Sequence, residues 1–211
     1  MEYKEQCCQK YGRRFNMKIS IAIPIHNMES AASFLRRLMQ SLEIQTFQDF
    51  EIVITKEGKM AENTNASIKK CKGEIIKILY MDDYLAHPDA LKNLVTEFRG
   101  GWLATGCLHD AGDGKLINPH RPSYDGIPYQ VNSIGSPSVI AVENNDPLLF
   151  DEKMSWLLDV DYYKKLYERY GEPTLLNSLD VAMGIGEHQM TNILTDEQKL
   201  AEQDYLNSKN V

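Results

Sequence analysis

The sequence predicts an α/β domain built on a mostly parallel sheet, and three observations carry that expectation. Apolar runs of strand length recur at Ile19 to Ile25, Phe50 to Thr55 and Glu74 to Leu79. Each run is separated from the next by a segment with apolar residues at helical spacing, the pattern of right-handed βαβ units. The runs are also near-continuously apolar rather than alternating, as expected for strands covered on both faces.

The first strand spans Ile19 to Ile25, and the helix that follows, Ser30 through Ile44, places Phe34, Leu35, Leu38 and Leu42 on one face. A second helix is expected over Ala61 to Lys70 and a third over Pro88 to Phe98. After Gly100-Gly101 the pattern changes to a short apolar run, Trp102 to Leu108. From His109 to Gly126 the chain is rich in Gly, Pro, Asp and Asn and reads as a loop or hairpin region. Ser138 to Val142 is a further short strand, Trp156 to Tyr170 a strong helix, Thr174 to Leu179 a closing strand and Thr195 to Asn207 a polar terminal helix. Tyr162, Tyr163, Leu166, Tyr167 and Tyr170 recur at helical spacing and are expected to pack.

With 211 residues, 43% of them hydrophobic, the chain is long enough for one compact domain with a sizeable core. The expected organisation is a loose N-terminal arm over 1–16 carrying Lys10, Arg13 and Arg14, followed by a single domain over 17–211. A net charge of −7 argues against a nucleic-acid binder working by broad phosphate neutralisation. No run approaches the ~18 apolar residues that span a bilayer. Cys7, Cys8, Cys71 and Cys107 show no C-x-x-C spacing, which disfavours a structural zinc site and suits a reducing, cytoplasmic compartment.

The most informative stretch is Leu79 to Tyr84, where Asp82 and Asp83 close a buried apolar strand. Ligands of open α/β sheets bind beyond the carboxyl ends of the strands, and these acids stand at that rim. Adjacent carboxylates repel unless a cation or hydrogen-bond donors compensate, so a divalent metal carrying a phosphorylated ligand accounts for the pair. The alternative is an acidic turn in which one aspartate caps the helix entered through His87 to Leu91.

These pieces, over Lys18 to Thr191, resemble the inverting family 2 glycosyltransferases of the GT-A fold. Ile19 to Asn27 is similar to that family's opening strand, with Pro24 and, three residues on, Asn27; both residue types equally suit shaping the turn at a strand exit. Gln45 to Ile54 resembles its "Q-T-x-x-x-x-E-I-I-I" passage. Where the family has two aspartates, glycine and serine, this chain has Lys56, Glu57, Gly58 and Lys59. The resemblance thus leaves Glu57 to meet the base, with Lys56 or Lys59 meeting phosphate or nothing. Asn63 to Ile68 resembles "A-R-N-x-G-I", keeping Asn65 and replacing the arginine by Thr64. Tyr80 stands where many members carry a first acid of D-x-D-D.

The resemblance implies that Asp82 contacts the ribose and that Asp83 ligates Mn2+ or Mg2+ bridging the diphosphate, with His188 as a late metal ligand. A family "F-D-E" before an acidic pair is similar to Phe150-Asp151-Glu152 and the helix start, which puts Asp159 on the general base and Leu158 on its acidic neighbour. Read from the residues alone, Asp159 caps the helix from Val160 to Tyr170 and Asp161 is an exposed first-turn acid. The implied halves are a nucleotide-sugar part over about 17–100 and an acceptor part over about 101–192, with the terminal helix at about 195–208. His109, His120, Tyr124 and Tyr129 fall where an acceptor would dock or on a loop surface.

The expected function is transfer of a sugar, by default from a UDP-sugar, to an acceptor hydroxyl with inversion. The acceptor class stays open among a glycan, a lipid-linked sugar, a protein and a modified nucleic-acid base. A rival reading is a nucleotide-sugar or glycan binding domain that lost the chemistry, favoured by Lys56, Tyr80 and Leu158 replacing acids. A nucleotidyltransferase would carry a glycine-rich loop where Pro24 to Met28 stands.

Overall fold

The computed structural model describes residues 19–112, 115–124 and 132–209. The expected arm over 1–16, with Cys7, Cys8 and its basic cluster, lies outside the described residues, as does Tyr129.

Strand β1 (Ile19–Pro24) is buried at every residue, as its unbroken apolar run requires. It pairs parallel with β2 (Phe50–Thr55) on one side and β3 (Ile75–Ile78) on the other. The crossovers are helices α1 (Ala31–Glu43) and α2 (Met60–Lys70). Ile19, Ile21 and Ile23 pack with Leu38 and Leu42 of α1 on one face of the sheet, joined by Leu91 and Leu94 of α3 (Ala90–Glu97). Ala22 packs with Ala61 and Ile68 of α2 on the other. Both faces are therefore covered.

The second half departs from simple parallel winding. Strand β7 (Ile140–Glu143) inserts between β3 and β5 (Trp102–Asp110) and runs antiparallel to both. Strand β8 (Thr174–Gly184) lies parallel to β5, and the two-residue β4 (Tyr84–Leu85) pairs antiparallel with β8. The expected loop or hairpin region is a hairpin: β6 (Leu116–His120) returns antiparallel along β5. Among the described residues the sheet runs β2-β1-β3-β7-β5-β8-β4, with β6 attached to β5. β1, β2, β3, β5 and β8 share one direction, so the sheet is mostly parallel.

Several boundaries move for identifiable reasons. The strand expected at Ser138 begins instead with a 3-10 turn over Pro137–Val139, because Pro137 has no N–H and Ser136 Oγ accepts from Ser138 N at 3.3 Å. The helix expected from Trp156 is α4 (Leu158–Tyr170). The N–H groups of Ser155, Trp156 and Leu157 donate to the Glu202 carboxylate at 2.5, 2.8 and 2.8 Å, so the chain is drawn onto α6 (Asp196–Ser208) before it coils. The closing strand runs on past Leu179 through Asp180, which is 2% exposed. Its Oδ2 accepts from Thr105 and Ser178 at 2.6 and 2.7 Å and its Oδ1 from Asn93 at 2.9 Å, with the His87 ring also 2.9 Å away. A buried carboxylate met on all sides is tolerated within a strand. The short α5 (Met190–Ile193) follows, and α6 opens with Thr195 and Gln198 capping each other.

Of the tyrosines expected to pack, Tyr162 and Tyr163 are fully buried. Tyr162 stacks on Phe150 at 3.9 Å and Tyr163 on Trp102 at 5.8 Å.

Candidate active site

The carboxyl ends of β1, β3 and β8 open into one cleft of about 800 Å³, closed on its far side by the start of α4 and by the segment around α5. Pro24, Asn27, Asp82, Asp83, Asp159 and His188 all line it. Residues separated by up to 164 positions in the chain (Pro24 to His188) thus meet at the rim where open α/β sheets bind ligands. Lys59, at the N-terminal cap of α2, lines the same cleft. So do five methionines, Met28, Met60, Met81, Met183 and Met190, together with Trp156.

Asp82 and Asp83 sit on the turn that follows β3, closed by Asp83 N donating to Tyr80 O at 2.9 Å. Neither caps α3, whose cap position is Asp89. Asp89 is held instead by Thr46 Oγ1, which donates to its carboxylate at 2.7 Å. The two acids are treated differently. Asp82 Oδ2 lies 3.0 Å from His188 Nε2, and that hydrogen bond to the carboxylate raises the His188 pKa. Asp83 is 4% exposed and accepts the backbone N–H of Gly184 at 2.9 Å. Burial, and then the neighbouring Asp82 charge, push its carboxyl above the usual range, while Ser138, Gly184 and Lys77 pull it back.

Lys77 points into the interior from the middle of β3 and is 1% exposed. Its Nζ donates to the carbonyls of Ser138 and Ile140. Burial pushes its ammonium down to about 7, opposed by Asp180 and Asp83. The apolar run that marked β3 in the sequence therefore carries a buried cation beneath the acidic turn.

Asp159 lies within the first turn of α4, one residue inside a helix whose cap position is Leu157, so it is not the N-cap. Its Oδ1 accepts from Val160 N at 2.7 Å and its Oδ2 from Asn132 Nδ2 at 2.6 Å. Burial pushes its carboxyl up to about 6 despite these donors. Asp161 is not the exposed acid that its place in the helix suggested: it is 2% exposed and paired with Lys165 at 2.7 Å and with Lys209. Leu158 and Tyr80 both line the cleft. The Tyr80 hydroxyl is buried, and burial raises its pKa, opposed by Thr64.

Two sequence candidates are not brought to this cleft. Glu57 lines a separate hollow with Glu62, Lys69 and Lys70, and its carboxylate pairs with Lys70 Nζ at 2.5 Å. Asn65 is 1% exposed and ties α2 to the chain before α4: its Nδ2 donates to Phe150 O and to Glu152 Oε1, both at 3.0 Å, and its Oδ1 accepts from Phe150 N at 2.8 Å. His109 Nδ1 lies 2.8 Å from Asn118 O within the β5–β6 hairpin, and His120 Nε2 lies 3.1 Å from Ser133 O. Tyr124 stacks on Tyr167 at 5.4 Å. These residues therefore have packing partners of their own. Asn132 was missed because its partner Asp159 lies 27 residues on and no local pattern links them.

Among the described residues, no group of three or more His, Cys, Asp and Glu side chains is placed to hold a metal ion by itself. The acids that do line the cleft offer hard oxygen donors. That set suits the way Mg2+ is usually held, by one or two carboxylates with the remaining positions filled by substrate phosphates and water. Asp83 and His188, with Asp82 between them in the cleft, are the residues that would hold such an ion.

No family model and no curated protein matches this chain. Solved structures do match its fold. S. aureus TarS 1–349 in complex with UDP-GlcNAc superposes with a TM-score of 0.67 at 17% identity, covering 89% of this chain and 64% of that one. The same protein in complex with UDP gives 0.62 at 16%, covering 90% and 69%. The mannosyltransferase PcManGT from Pyrobaculum calidifontis, in complex with GDP-Man and Mn2+, gives 0.54 at 14%, covering 87% and 63%. The likeness establishes a mixed α/β domain with a curled, mostly parallel sheet flanked by helices. This chain spans 64% of the first of these structures.

Proposed function

We propose that this chain is a metal-dependent, inverting glycosyltransferase of the family 2 type that moves a sugar from a nucleoside diphosphate sugar to an acceptor hydroxyl. The observation that carries the reading is the shared cleft, with the Asp82–Asp83 turn on one side and Asp159 on the other. Two acids beside a candidate phosphate site and a separate acid with a raised pKa are the parts that a single displacement needs. The solved structures that share the fold, one with UDP-GlcNAc and one with GDP-Man and Mn2+, support a nucleotide-sugar donor. A UDP-sugar is the default.

In this reading Pro24 and Asn27 bound the nucleoside side of the cleft, and Asp82 meets the ribose. Mn2+ or Mg2+ on Asp83 and His188 would supply charge neutralisation for the departing diphosphate. Asp159 takes the proton of the acceptor hydroxyl while the hydroxyl oxygen forms its bond to the anomeric carbon. The bond from that carbon to the diphosphate oxygen breaks on the opposite face, which inverts the centre and releases the nucleoside diphosphate. Glu57 and Asn65 lie outside the cleft and take no direct part in this scheme. The donor half is the stretch over about 17–100, the acceptor half that over about 101–192.

Among the described residues no helix is long and apolar enough to cross a membrane. The acceptor is proposed as a hydroxyl reached from the open side of the cleft. A specific observation keeps a second reading in play: Tyr80 and Leu158 line the cleft where the family carries acids, as in a binding domain that has lost transfer.

Thermal melting of the chain with UDP, GDP, UDP-sugars and GDP-sugars, with and without Mn2+, tests the donor site. A stabilisation that needs both nucleotide and metal is expected, worth ~2.7 kcal/mol at a ligand concentration of 100 Kd. No shift with any of them would overturn the donor-site reading. Binding of a nucleotide sugar without turnover across an acceptor series would favour the second reading.

A further inference from the structure

The carboxylate of Asp82 belongs to the cleft, but its backbone carbonyl is engaged from a different direction. Arg37, on α1, donates from Nη2 to Asp82 O at 2.7 Å and from Nη1 to Asp110 Oδ2 at 2.7 Å. Asp110 ends β5 and is 3% exposed. Its Oδ2 also accepts from the Tyr84 hydroxyl at 2.9 Å, and its backbone oxygen accepts from Ile185 N at 3.0 Å, just past the end of β8. The guanidinium lies 4.4 Å from the Tyr84 ring and 5.5 Å from that of Phe34. Phe34 in turn meets the His188 ring at 5.2 Å.

Arg37 is not among the residues lining the cleft, yet it touches the backbone of one cleft residue and lies one ring away from another. Its Nε is buried without a partner. A buried unsatisfied donor is costly, so the orientation of the guanidinium is set by the bonds to Asp82 and Asp110 at the expense of its own third site. A planar fork with fixed donors can hold a carbonyl and a carboxylate at once, which a lysine ammonium does less rigidly. The ion pair is not the sole anchor of α1, which also docks through Leu38 and Leu42.

We infer that Arg37 is a positioning residue that, with Asp110 and Tyr84, fixes the Asp82 carbonyl and through Phe34 the His188 ring, so that the Asp82–His188 pair stands preformed for the donor. This rests on the donor-site reading above. Pre-arranged polar groups bind a ligand without a reordering cost, and misplacement by ~1 Å can cost about 100-fold.

The test is a double-mutant cycle on the full chain, reading the Kd of UDP, or of GDP where melting selects it, in the presence of Mn2+. Arg37→Ala is expected to weaken binding about tenfold, and Arg37→Lys to recover part of that loss. In an Asp82→Ala, His188→Ala background, which keeps the Asp82 carbonyl but removes both side chains that Arg37 is inferred to position, Arg37→Ala is expected to add less than about twofold. Multiplying effects, or a melting shift with Kd unchanged, would overturn the inference while leaving the donor site standing. Where Arg37→Ala does not fold, Tyr84→Phe removes only the hydroxyl on Asp110, and an unchanged Kd there overturns the inference equally. Failure of the unmodified chain to bind any nucleoside diphosphate would overturn the donor-site reading itself.

Discussion

The acidic turn after β3 and the start of α4 face each other across one cleft, and they are built on opposite plans. Asp82 and Asp83 are held by partners from distant parts of the chain: the Arg37 guanidinium on the Asp82 carbonyl, the His188 ring on its carboxylate, and the Gly184 N–H on Asp83. Lys77 lies beneath and pulls the Asp83 pKa down. The partners of Asp159 are neutral, the Asn132 amide and the N–H of Val160. Lys77 beside the first pair opposes, without cancelling, the rise that burial and the Asp82 charge impose on Asp83. Burial of the second with neutral donors leaves a carboxyl that titrates at about 6, suited to exchanging a proton. The contrast assigns roles more sharply than either site does by itself.

The largest way to break the contrast is Asp159→Asn. Loss of a general base is expected to slow transfer ~10²- to 10⁴-fold while the Kd of the nucleoside diphosphate stays within twofold, about the scatter of such a measurement. Equal losses in both would mean that the two sites do not differ in kind. The same carboxyl sharpens the contrast through pH. Its pKa is raised in the folded chain, so between the ordinary value of 3.8 and about 6 the native state holds a proton that the unfolded state has released. Its contribution to stability is therefore present on the acid side and is lost as pH rises through about 6, the reverse of an acid stabilised by a cation. Transfer should rise through the same pH as the base ionises. A rate that is flat from pH 5 to 7 would remove Asp159 from the proton step.

A smaller effect is expected from Gly184→Ala. A Cβ there would stand 2.5 Å from Asp82 O and 3.2 Å from its carbonyl carbon, so either the end of β8 or the acidic turn must move. Nucleotide affinity should fall about tenfold with transfer per bound donor less affected. An unchanged Kd would show that the turn does not depend on this close approach. The smallest expected effect is that of Glu57→Gln. Its carboxylate pairs with Lys70 at 2.5 Å, and the two side chains are 55% and 56% exposed. A surface pair of this kind contributes about 0–1 kcal/mol, so nucleotide affinity should hold. A clear loss would return Glu57 to the base-recognition role that the sequence suggests.

The first half of the fold was legible because buried parallel strands and their crossover helices write their burial directly into local order. Phe50–Thr55 falls at the expected bounds, and β1 and β3 are each within two residues. The second half was less so. β4 has two residues, β6 contains Asn118-Pro119 that reads as a turn, and β8 passes through Asp180, whose polarity is satisfied by Thr105 and Asn93, far away in sequence, as well as by its neighbour Ser178. Asp82 and Asp83 could be named because two acids closing a buried strand are unusual locally, whereas Asp159 and His188 were reached only through the family resemblance. Arg37 and Asp110 could not, since 73 residues separate two ordinary charged side chains that meet only in the folded chain.

The five methionines along the cleft carry a consequence of another kind. A thioether takes one oxygen atom from peroxide and becomes a polar, chiral sulfoxide, and no cysteine is needed for that change. The cavity walls would turn hydrophilic at several points while the strands beneath them kept their pairing. Peroxide treatment is therefore expected to weaken whatever the cleft binds, with Met81, 5% exposed, the slowest of the five to react.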